Sequence, residues 1–381
     1  MVPADPLPAD KSIVGSMRKK TPTMIDQLAL LVNAESGSTD LDGIAACAAI
    51  IEEIGVNATG KAPERVETEG RVHLVWRFGP NHRPPTVLLV GHFDTVWSRG
   101  TLQRWPFEVG GDRATGPGAF DMKAGIVQMF HALEAVGSPD GVTCVLTSDE
   151  ELGSQTSRSL VERLAEGASA ALVLEPSVEG ALKVARKGTS MYEVAVEGRA
   201  AHAGLEPEKG ANATVELAHQ IIAVTSLARA DQGTTVTPTV AAGGTTTNTV
   251  PAYASVQIDV RADTQAEQER VDSEIRSLRR SVDGTRLVVT GGPNRPPFSN
   301  DASAALFKLA QQAAGELGLP ALKGEAVGGG SDGNFTAGIG VPTLDGLGAV
   351  GGKAHAEGEW VDIPSMAERA ALLAQLLIRL T

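Results

Sequence analysis

The spacing of apolar residues divides the chain into alternating helices and strands. In order, it predicts helices over 23–34 and 42–54, strands in VHLVWRF and TVLLVGHFD, a helix over 122–136, a strand over 143–148, a helix over 160–166 and a strand over 170–174. Strands that alternate with helices are typical of a largely parallel sheet. We therefore expect an α/β domain with a mixed, largely parallel sheet and helices on both faces.

The pattern changes after Pro176. It then predicts a strand in MYEVAVEG, a helix over 212–227, strands in TPTVAAGG and ASVQIDVRA, a helix over 265–282 and a strand in RLVVTGG. That order, β-α-β-β-α-β, is the split arrangement of a ferredoxin-like α+β domain. A final helix is predicted over 365–380. The sequence thus predicts a small domain over 181–293, inserted into a discontinuous domain of residues 1–180 and 294–381.

Composition narrows the class of protein. A chain of 381 residues exceeds the usual size of one hydrophobic core, which agrees with two domains. The net charge of −13, without a long Lys/Arg run, disfavours a nucleic-acid partner. No stretch is long and apolar enough to predict a membrane span, so no membrane partner is expected. The N-terminus lacks a basic region followed by an apolar one, so we expect no secretory signal and a cytoplasmic location.

Residues that can bind metal or move protons follow the predicted strands of the first domain. His92 and Asp94 alternate across Phe93, so both side chains can point the same way. Glu150 and Glu151 follow the strand in VTCVLTS, and as neighbours on extended chain they would point to opposite sides. Glu175 follows the next strand. Because the carboxyl ends of parallel strands meet at one edge, we expect these side chains to lie together.

Two more candidates stand in glycine-rich segments. Asp121 follows GPGAF and is predicted to open a helix, where free N–H groups and the helix dipole favour a carboxylate. His355 lies in GAVGGKAHAEGEW, a loop that can reach across from late in the chain. Each residue alone also fits an ordinary turn, an N-cap or a solvated charge. Together they supply two imidazoles and three carboxylates, a nitrogen and oxygen set suited to two divalent metal ions.

These motifs resemble those of a known family. The order His-x-Asp, Gly-x-Gly-x-x-Asp, Glu-Glu, Glu-Pro, Ala-His-Ala-Gly and a late Ala-His resembles the M20 family of dinuclear metallopeptidases over nearly the whole chain. The segments GGPNRPPF, TTTNTVPAYASVQIDVRA and VGGGSDGNF are most similar to its glutamate carboxypeptidases of the carboxypeptidase G2 type. The resemblance implies two Zn²⁺ per subunit, with Co²⁺ or Mn²⁺ as substitutes. His92 and Glu175 would bind one zinc ion, Glu151 and His355 the other, and Asp121 would bridge the two. Glu150 would be the general base, and Asp94 the acid that orients a ligand.

The resemblance also implies roles for the inserted domain. It would form a homodimer, and His202, in EGRAAHAGLEPEKGANA, would stabilise the oxyanion in the partner subunit's site. Substrate carboxylates would be held by Asn248, Arg261 and Arg295, and arginine suits this task because its planar fork binds carboxylates bidentately. Lys183 matches a substrate-contacting lysine, although the surrounding KVARKGTS departs from the family pattern.

The function that this resemblance implies is zinc-dependent hydrolysis of an amide or peptide bond. The released residue would be a C-terminal amino acid, glutamate foremost, from an N-acyl or peptidyl substrate. An aminoacylase or a succinyl-diaminopimelate-type deacylase would use the same metals, and GGGSDG does not choose between these branches. A phosphate-ester hydrolase can also use two metals. An inactive, metal-dependent dimeric binding module would have lost the general base, whereas Glu150 is present.

Overall fold

The protein consists of two compact units in a computed structural model that describes residues 11–79 and 85–381. Unit 1 comprises the chain up to Ala185, Asn300–Val327 and Ser331–Thr381, and unit 2 comprises Arg186–Ser299 and Gly328–Gly330. The sequence-based boundaries lie a few residues N-terminal of these. The expectation of no secretory signal was drawn from residues 1–20, and residues 1–10 of that segment are outside the described part. None of the described helices is long and apolar enough to cross a bilayer.

Helices and strands alternate through unit 1 and again through unit 2. The helices are α1 (Lys11–Asn33), α2 (Leu41–Thr59), α3 (Ala124–Val136), α4 (Arg158–Ala165), α5 (Ala213–Thr225), α6 (Gln265–Arg276), α7 (Asn300–Leu317), α8 (Gly333–Gly338) and α9 (Ile363–Leu380). The strands are β1 (Glu64–Thr68), β2 (Arg71–Arg77), β3 (Val87–His92), β4 (Glu108–Gly110), β5 (Arg113–Thr115), β6 (Val142–Thr147), β7 (Ala170–Val173), β8 (Leu182–Arg186), β9 (Gly188–Glu197), β10 (Thr235–Gly243), β11 (Tyr253–Ala262), β12 (Arg286–Arg295), β13 (Gly324–Val327), β14 (Thr343–Leu344), β15 (Gly351–Gly352) and β16 (Trp360–Asp362).

The main sheet of unit 1 has six strands in the order β1-β2-β6-β3-β7-β14. The pairs β6/β3, β3/β7 and β7/β14 are parallel, whereas β1/β2 and β2/β6 are antiparallel. The predicted mixed, largely parallel sheet is confirmed. Since β6, β3 and β7 are neighbours and parallel, their carboxyl ends lie side by side, which places the residues that follow them at one edge.

Both faces of this sheet are covered by helices, as predicted. Leu89 and Cys144 pack into a large core shared with α1, α2, α3, α7 and α9. Leu88 and Val145, one residue away on the same strands, pack into a second core with α4 and Phe335 of α8. Alternate residues of a strand point to opposite faces, so continuous apolar runs are what a strand buried on both faces requires.

The largest differences between predicted and observed helix boundaries are at the start of α1 and the end of α6. Helix α1 begins at Lys11 rather than at residue 23, because the buried helical spacing continues upstream through Val14 and Met17. Helix α6 ends at Arg276 rather than at 282. The N–H groups of Ser281 and Val282 donate to the carboxylate of Glu216 instead of to helix carbonyls, so the helix cannot include them.

Unit 2 has the predicted ferredoxin-like topology. Its elements follow the chain order β9-α5-β10-β11-α6-β12, and the four strands form an antiparallel sheet in the order β10-β11-β9-β12. Val194 and Val256 from the sheet pack against Leu217 of α5 and Ile275 of α6. The dimerising role that the resemblance gives this unit stays a prediction.

Candidate metal centre

The carboxyl ends of three neighbouring strands in unit 1 carry the predicted metal-binding residues. His92 is the last residue of β3, and Glu175 lies two residues beyond the end of β7. Glu150 and Glu151 begin a single 3-10 turn, Glu150–Leu152, after β6. His92 and Glu175 are buried. Because the carboxyl ends of these parallel strands lie at one edge of the sheet, side chains that are far apart in sequence come together there.

His92 lies at the centre of a first group of ligand atoms. Its Nε2 atom is 3.3 Å from Oδ1 of Asp121 and 3.3 Å from Oε1 of Glu175. On the opposite side of the ring, Nδ1 is 3.0 Å from the backbone oxygen of Asp94. In the neutral ring, a hydrogen bond there places the proton on Nδ1, which leaves Nε2 as the atom that would bind a cation between the two carboxylates.

His355 forms a second group around the other oxygen of Asp121. Its Nε2 atom is 2.9 Å from Oε1 of Glu151 and 3.4 Å from Oδ2 of Asp121. Asp121 thus directs one oxygen towards each histidine, the arrangement expected of a bridging carboxylate. His355 has a φ of +60°, in the left-handed region that residues other than glycine seldom adopt, and such strain is common at functional sites.

The residues fit the divalent ions that the sequence predicts. Nε2 of His92 and Oδ1 of Asp121 are buried and have no hydrogen-bond partner among the described residues. Two ligands of one tetrahedral zinc ion lie about 3.3–3.5 Å apart, because each is about 2.0–2.2 Å from the ion. The separations of 3.3 Å around His92 match this spacing. A cation would satisfy the orphaned atoms, whose desolvation otherwise costs about 1–3 kcal/mol each.

The electrostatics of the cluster also favour added positive charge. Burial alone lowers the pKa of His92, but Asp121 and the other carboxylates beside it raise that pKa well above its usual value. Contacts with Asp121 and Glu151 raise the pKa of His355 to about 10. Burial raises the pKa of Glu151, although His355 opposes the rise. Without a cation, the carboxylates favour the protonated form of both imidazoles, and a divalent cation bound there would take the place of those protons.

Asp94 organises the turn that carries the two glutamates. Its carboxylate accepts the N–H groups of Glu150 and Glu151 at 3.1 and 3.2 Å, and the hydroxyl of Ser38 at 2.8 Å. The expectation of extended chain at Glu150 and Glu151 is wrong, because Asp94 accepts their N–H groups and closes a 3-10 turn. One ligand cluster, within 4.8 Å, contains His92, Asp121 and Glu151, and the other contains His92, Glu150 and Glu175.

Comparison with known proteins identifies the family to which the chain belongs. Residues 88–379 match the pattern of peptidase family M20/M25/M40. The chain belongs to this family. It is 31% identical to carboxypeptidase G2 of Pseudomonas sp. (strain RS-16), over 97% of this chain and 92% of that protein. It is 27% identical to succinyl-diaminopimelate desuccinylase of a Nitratiruptor species, over 60% of this chain and 66% of that protein.

A solved structure shows the same fold. The M20 family metallo-carboxypeptidase Sso-CP2 from Sulfolobus solfataricus superposes with a TM-score of 0.74 at 16% identity, over 94% of this chain and 98% of that one. The predicted membership of the M20 family is confirmed, and the chain is a metallopeptidase of the hydrolase class. The metal dependence of the family agrees with the ligand cluster around His92.

One buried carboxylate of this M20 centre escaped the sequence analysis. Glu359 accepts the N–H groups of Gly118, Phe120 and Asp121 at 3.1, 2.8 and 2.9 Å, and the indole N–H of Trp97 at 3.0 Å. Burial of Glu359 raises the pKa of its carboxyl group to about 7, although the hydrogen bond from the backbone N–H of Asp121 opposes this rise. Glu359 thus fixes the backbone of the segment that carries Asp121. The signal available in the sequence was GPGAF, a turn whose free N–H groups need an acceptor.

The predicted helix opening at Asp121 is also wrong. Helix α3 begins only at Ala124, and the preceding Lys123 makes no side-chain cap. Asp121 itself has a φ of −114° and a ψ of 96°, outside the helical region. Because Glu359 binds the amide of Asp121 from outside the helix, the backbone turns away there. The side chain of Asp121 is consequently directed to the two histidines rather than to its own helix.

Replacing Glu359 with glutamine tests this positioning role. The amide has one accepting oxygen instead of two, and its N–H₂ group faces backbone donors, so the Asp121 segment loosens. Loss of such an outer partner lowers metal affinity by about 10- to 100-fold in comparable sites. We expect that fall in a chelator competition titration, with KM for substrate little changed in the metal-saturated enzyme. Unchanged metal affinity together with a lower Tm would reduce Glu359 to a purely structural residue.

The predicted substrate-binding residues divide between the two units. In unit 1, Nζ of Lys183 lies 3.5 Å from Oε2 of Glu175, beside the metal-ligand cluster. Within unit 2, Arg261 donates two hydrogen bonds to the carboxylate of Asp259, at 2.8 and 2.7 Å. These bonds occupy Nε and Nη2 of its guanidinium group. Arg295 is buried and donates to Asn294. His202 and Asn248 are exposed in unit 2, and Nδ1 of His202 accepts the N–H of Gly204.

Proposed function

We propose that this M20 protein is a zinc-dependent carboxypeptidase that hydrolyses the bond before a C-terminal acidic amino acid, glutamate foremost. Its substrates are N-acyl amino acids or peptides. The observation that carries the proposal is the Asp121-bridged pair of ligand groups with Glu150 beside them. Similarity to carboxypeptidase G2 over nearly the whole chain supports the carboxypeptidase branch. A cytoplasmic location and a homodimer belong to the same proposal.

The residues of unit 1 have distinct tasks in this reaction. His92 and Glu175 would hold one zinc ion, Glu151 and His355 a second, and Asp121 both. The bound ions supply Lewis-acid polarisation of the scissile carbonyl and a lower pKa of the attacking water. Glu150 accepts the proton of that water and delivers it to the leaving amine.

Asp94 keeps the centre in its working geometry. Its backbone oxygen orients the ring of His92 through Nδ1, and its carboxylate holds the amides of Glu150 and Glu151. A catalytic base must lie within hydrogen-bond reach of the proton it takes, so the position of the Glu150 backbone matters as much as its charge.

A second candidate function is removal of an acyl group from an N-acylated diamino acid. Similarity to succinyl-diaminopimelate desuccinylase favours it. Both reactions cleave an amide bond next to a carboxylate, so the same metal ligands and Glu150 serve both. What separates them is the part of the substrate that the cationic side chains hold.

Substrate preference tests the carboxylate-binding role of Arg295. We expect the zinc-loaded enzyme to hydrolyse N-acyl-glutamate and N-acyl-aspartate well, and a decarboxylated analogue not at all. In Arg295→Ala, the lost charge-assisted hydrogen bonds, about 1.5–3 kcal/mol, raise KM for N-acyl-glutamate by roughly 10- to 150-fold. Arg279→Ala, which removes an exposed arginine from unit 2, serves as the control and should leave KM unchanged. Equal KM increases for N-acyl-glutamate and for neutral substrates would show that Arg295 does not bind the glutamate carboxylate. Faster turnover of succinylated diamino acids than of N-acyl-glutamate would favour the second function.

The proposed action of His202 across a dimer predicts complementation between two inactive variants. His202→Ala alone should lower kcat by about 10²- to 10³-fold, the usual effect of losing one oxyanion donor. In an equal mixture with His92→Ala, half of the dimers pair an intact metal centre with an intact partner His202. Activity should return to roughly a quarter of the wild-type value after subunit exchange, because a two-fold dimer has two sites. Unrestored activity in verified mixed dimers would place His202 in the site of its own subunit.

A further inference from the structure

A buried histidine outside the metal-ligand clusters contacts the segment that leads into the Glu150–Leu152 turn. His73 of β2 is fully buried and belongs to neither cluster. On the β2 side, the backbone pairing of β6 ends where Leu146 lies opposite Leu74. Ser148, two residues further on, is also buried, and its N–H donates to Nδ1 of His73 at 3.2 Å. The imidazole therefore supplies the acceptor that strand pairing no longer provides.

The other ring nitrogen of His73 begins a second chain of hydrogen bonds. Its Nε2 atom is 3.1 Å from the hydroxyl oxygen of Thr156, and that hydroxyl donates to the carboxylate of Asp149 at 2.8 Å. The backbone N–H of Thr156 donates to the same carboxylate oxygen at 2.6 Å. The backbone oxygen of Asp149 accepts the N–H groups of Leu152 and Ser154, which closes the turn. The chain from His73 thus reaches the residue on which the turn closes.

These partners allow the His73 ring a single protonation state. A backbone N–H can only donate, so Nδ1 must present a lone pair to Ser148. The one proton of the Thr156 hydroxyl is donated to Asp149, so Nε2 must supply its own proton to that hydroxyl. Both conditions hold only in the neutral ring with its proton on Nε2. A proton added at Nδ1 would face the N–H of Ser148 and remove that hydrogen bond.

Charged groups near the His73 ring have opposing effects on its protonation. Burial lowers the pKa of His73 below its usual value, and Arg71 acts in the same direction. The carboxylates of Asp149, Asp332 and Asp94 oppose this fall in pKa. Because burial prevails, the ring is neutral at neutral pH. The fold thus maintains the protonation state that both hydrogen bonds require.

We propose that His73, as the neutral tautomer with its proton on Nε2, is a positioning residue for the turn that carries Glu150 and Glu151. Its Nδ1 atom holds the amide of Ser148, while the carboxylate of Asp94 holds the amides of both glutamates. Strands β2 and β3 flank β6 in the sheet, so the turn is held from both sides. This role depends on the proposed function, in which Glu150 is the general base and Glu151 a metal ligand.

The tautomer of His73 is measured directly by long-range ¹H–¹⁵N correlation NMR. The sample is the full-length, zinc-loaded protein with ¹⁵N-labelled histidine at neutral pH, and the His73 signals are identified by their absence from His73→Asn. We expect Nδ1 without a proton and Nε2 with one. A ring with its proton on Nδ1 alone, or with protons on both nitrogens, would overturn the proposal.

Two amide substitutions separate the roles of the ring nitrogens. Asparagine places an accepting oxygen near the position of Nδ1, whereas glutamine places a donating N–H near that of Nε2 and leaves the amide of Ser148 without its acceptor. We expect His73→Asn to bind zinc within about threefold of the wild type, and His73→Gln to bind it about tenfold more weakly. For N-acyl-glutamate, kcat should follow the same order, with KM little changed. Zinc affinity, from chelator competition, tests His73 even if the protein does not hydrolyse this substrate.

His131 of α3 provides a matched control. It is also buried, and its Nε2 atom lies 3.0 Å from Oε1 of Gln27. His131→Asn and His131→Gln should keep the zinc affinity and kcat of the wild type, even where Tm falls. Equal zinc affinity and equal kcat in His73→Asn and His73→Gln, whether unchanged or reduced in both, would show that the Nδ1 acceptor does not position the turn. That result would reduce His73 to a residue that only stabilises the fold.

Discussion

Substitution of Glu150 by glutamine is expected to lower kcat by about 10²- to 10⁴-fold while both metal ions stay bound. Glutamine keeps the length of the side chain and its backbone N–H, so the hydrogen bond to Asp94 that shapes the turn persists. What disappears is the carboxylate that accepts a proton from water. Rates with N-acyl-glutamate, paired with metal content by elemental analysis, check this expectation.

Metal content decides between two roles of Glu150, since it clusters with His92 and Glu175 within 4.8 Å. A general base is lost without loss of metal, whereas a metal ligand is lost with it. Glu53→Gln, which changes an exposed glutamate of α2, is the matched control and should keep full activity. Near-wild-type turnover in Glu150→Gln would contradict the base assignment, and metal loss would make Glu150 a ligand instead.

The sequence predicted that the candidate metal ligands lie close together, because the carboxyl ends of neighbouring parallel strands meet at one edge of a sheet. Once β3 and β7 were read as buried parallel strands, His92 and Glu175 had to lie at the same edge. The sequence also indicated that successive residues of a buried strand point to opposite faces of the sheet. Leu88 and Leu89 accordingly pack into different cores. Such features depend on local spacing and on the general geometry of parallel sheets, both of which a single sequence contains.

What the sequence did not predict depends on contacts between distant segments. Glu359 binds the amides around Asp121, more than two hundred residues earlier, and no local pattern announces that pairing. The turn at Glu150 similarly closes because Asp94, two residues beyond the end of β3, accepts its N–H group. Helix α6 stops early because Glu216 of α5 binds the next amides. In each case a side-chain carboxylate replaced a backbone acceptor, which overrides the local preference for helix or extended chain.

Replacement of Asp121 by asparagine is the most direct test of the bridge between the two ligand groups. Oδ1 of Asp121 is directed to His92 and Oδ2 to His355, and asparagine keeps only one of these oxygens. Its N–H₂ group carries no lone pair for a cation, so one ion loses a ligand and both lose the shared negative charge. We expect bound zinc to fall to one ion or fewer per subunit, and kcat to fall by at least about 10³-fold, close to the loss of base and Lewis-acid catalysis together.

A matched control separates this effect from a general loss of charge. Asp112→Asn changes an exposed aspartate of the same unit and should keep the wild-type zinc content and rate. Excess zinc should not restore Asp121→Asn, because the missing element is a ligand that both ions share rather than a weakened single contact. Retention of two zinc ions at wild-type affinity would show that the two groups bind metal independently. Asp121 would then serve one histidine alone, and its second oxygen, 3.4 Å from His355, would be a neighbour without a ligand role.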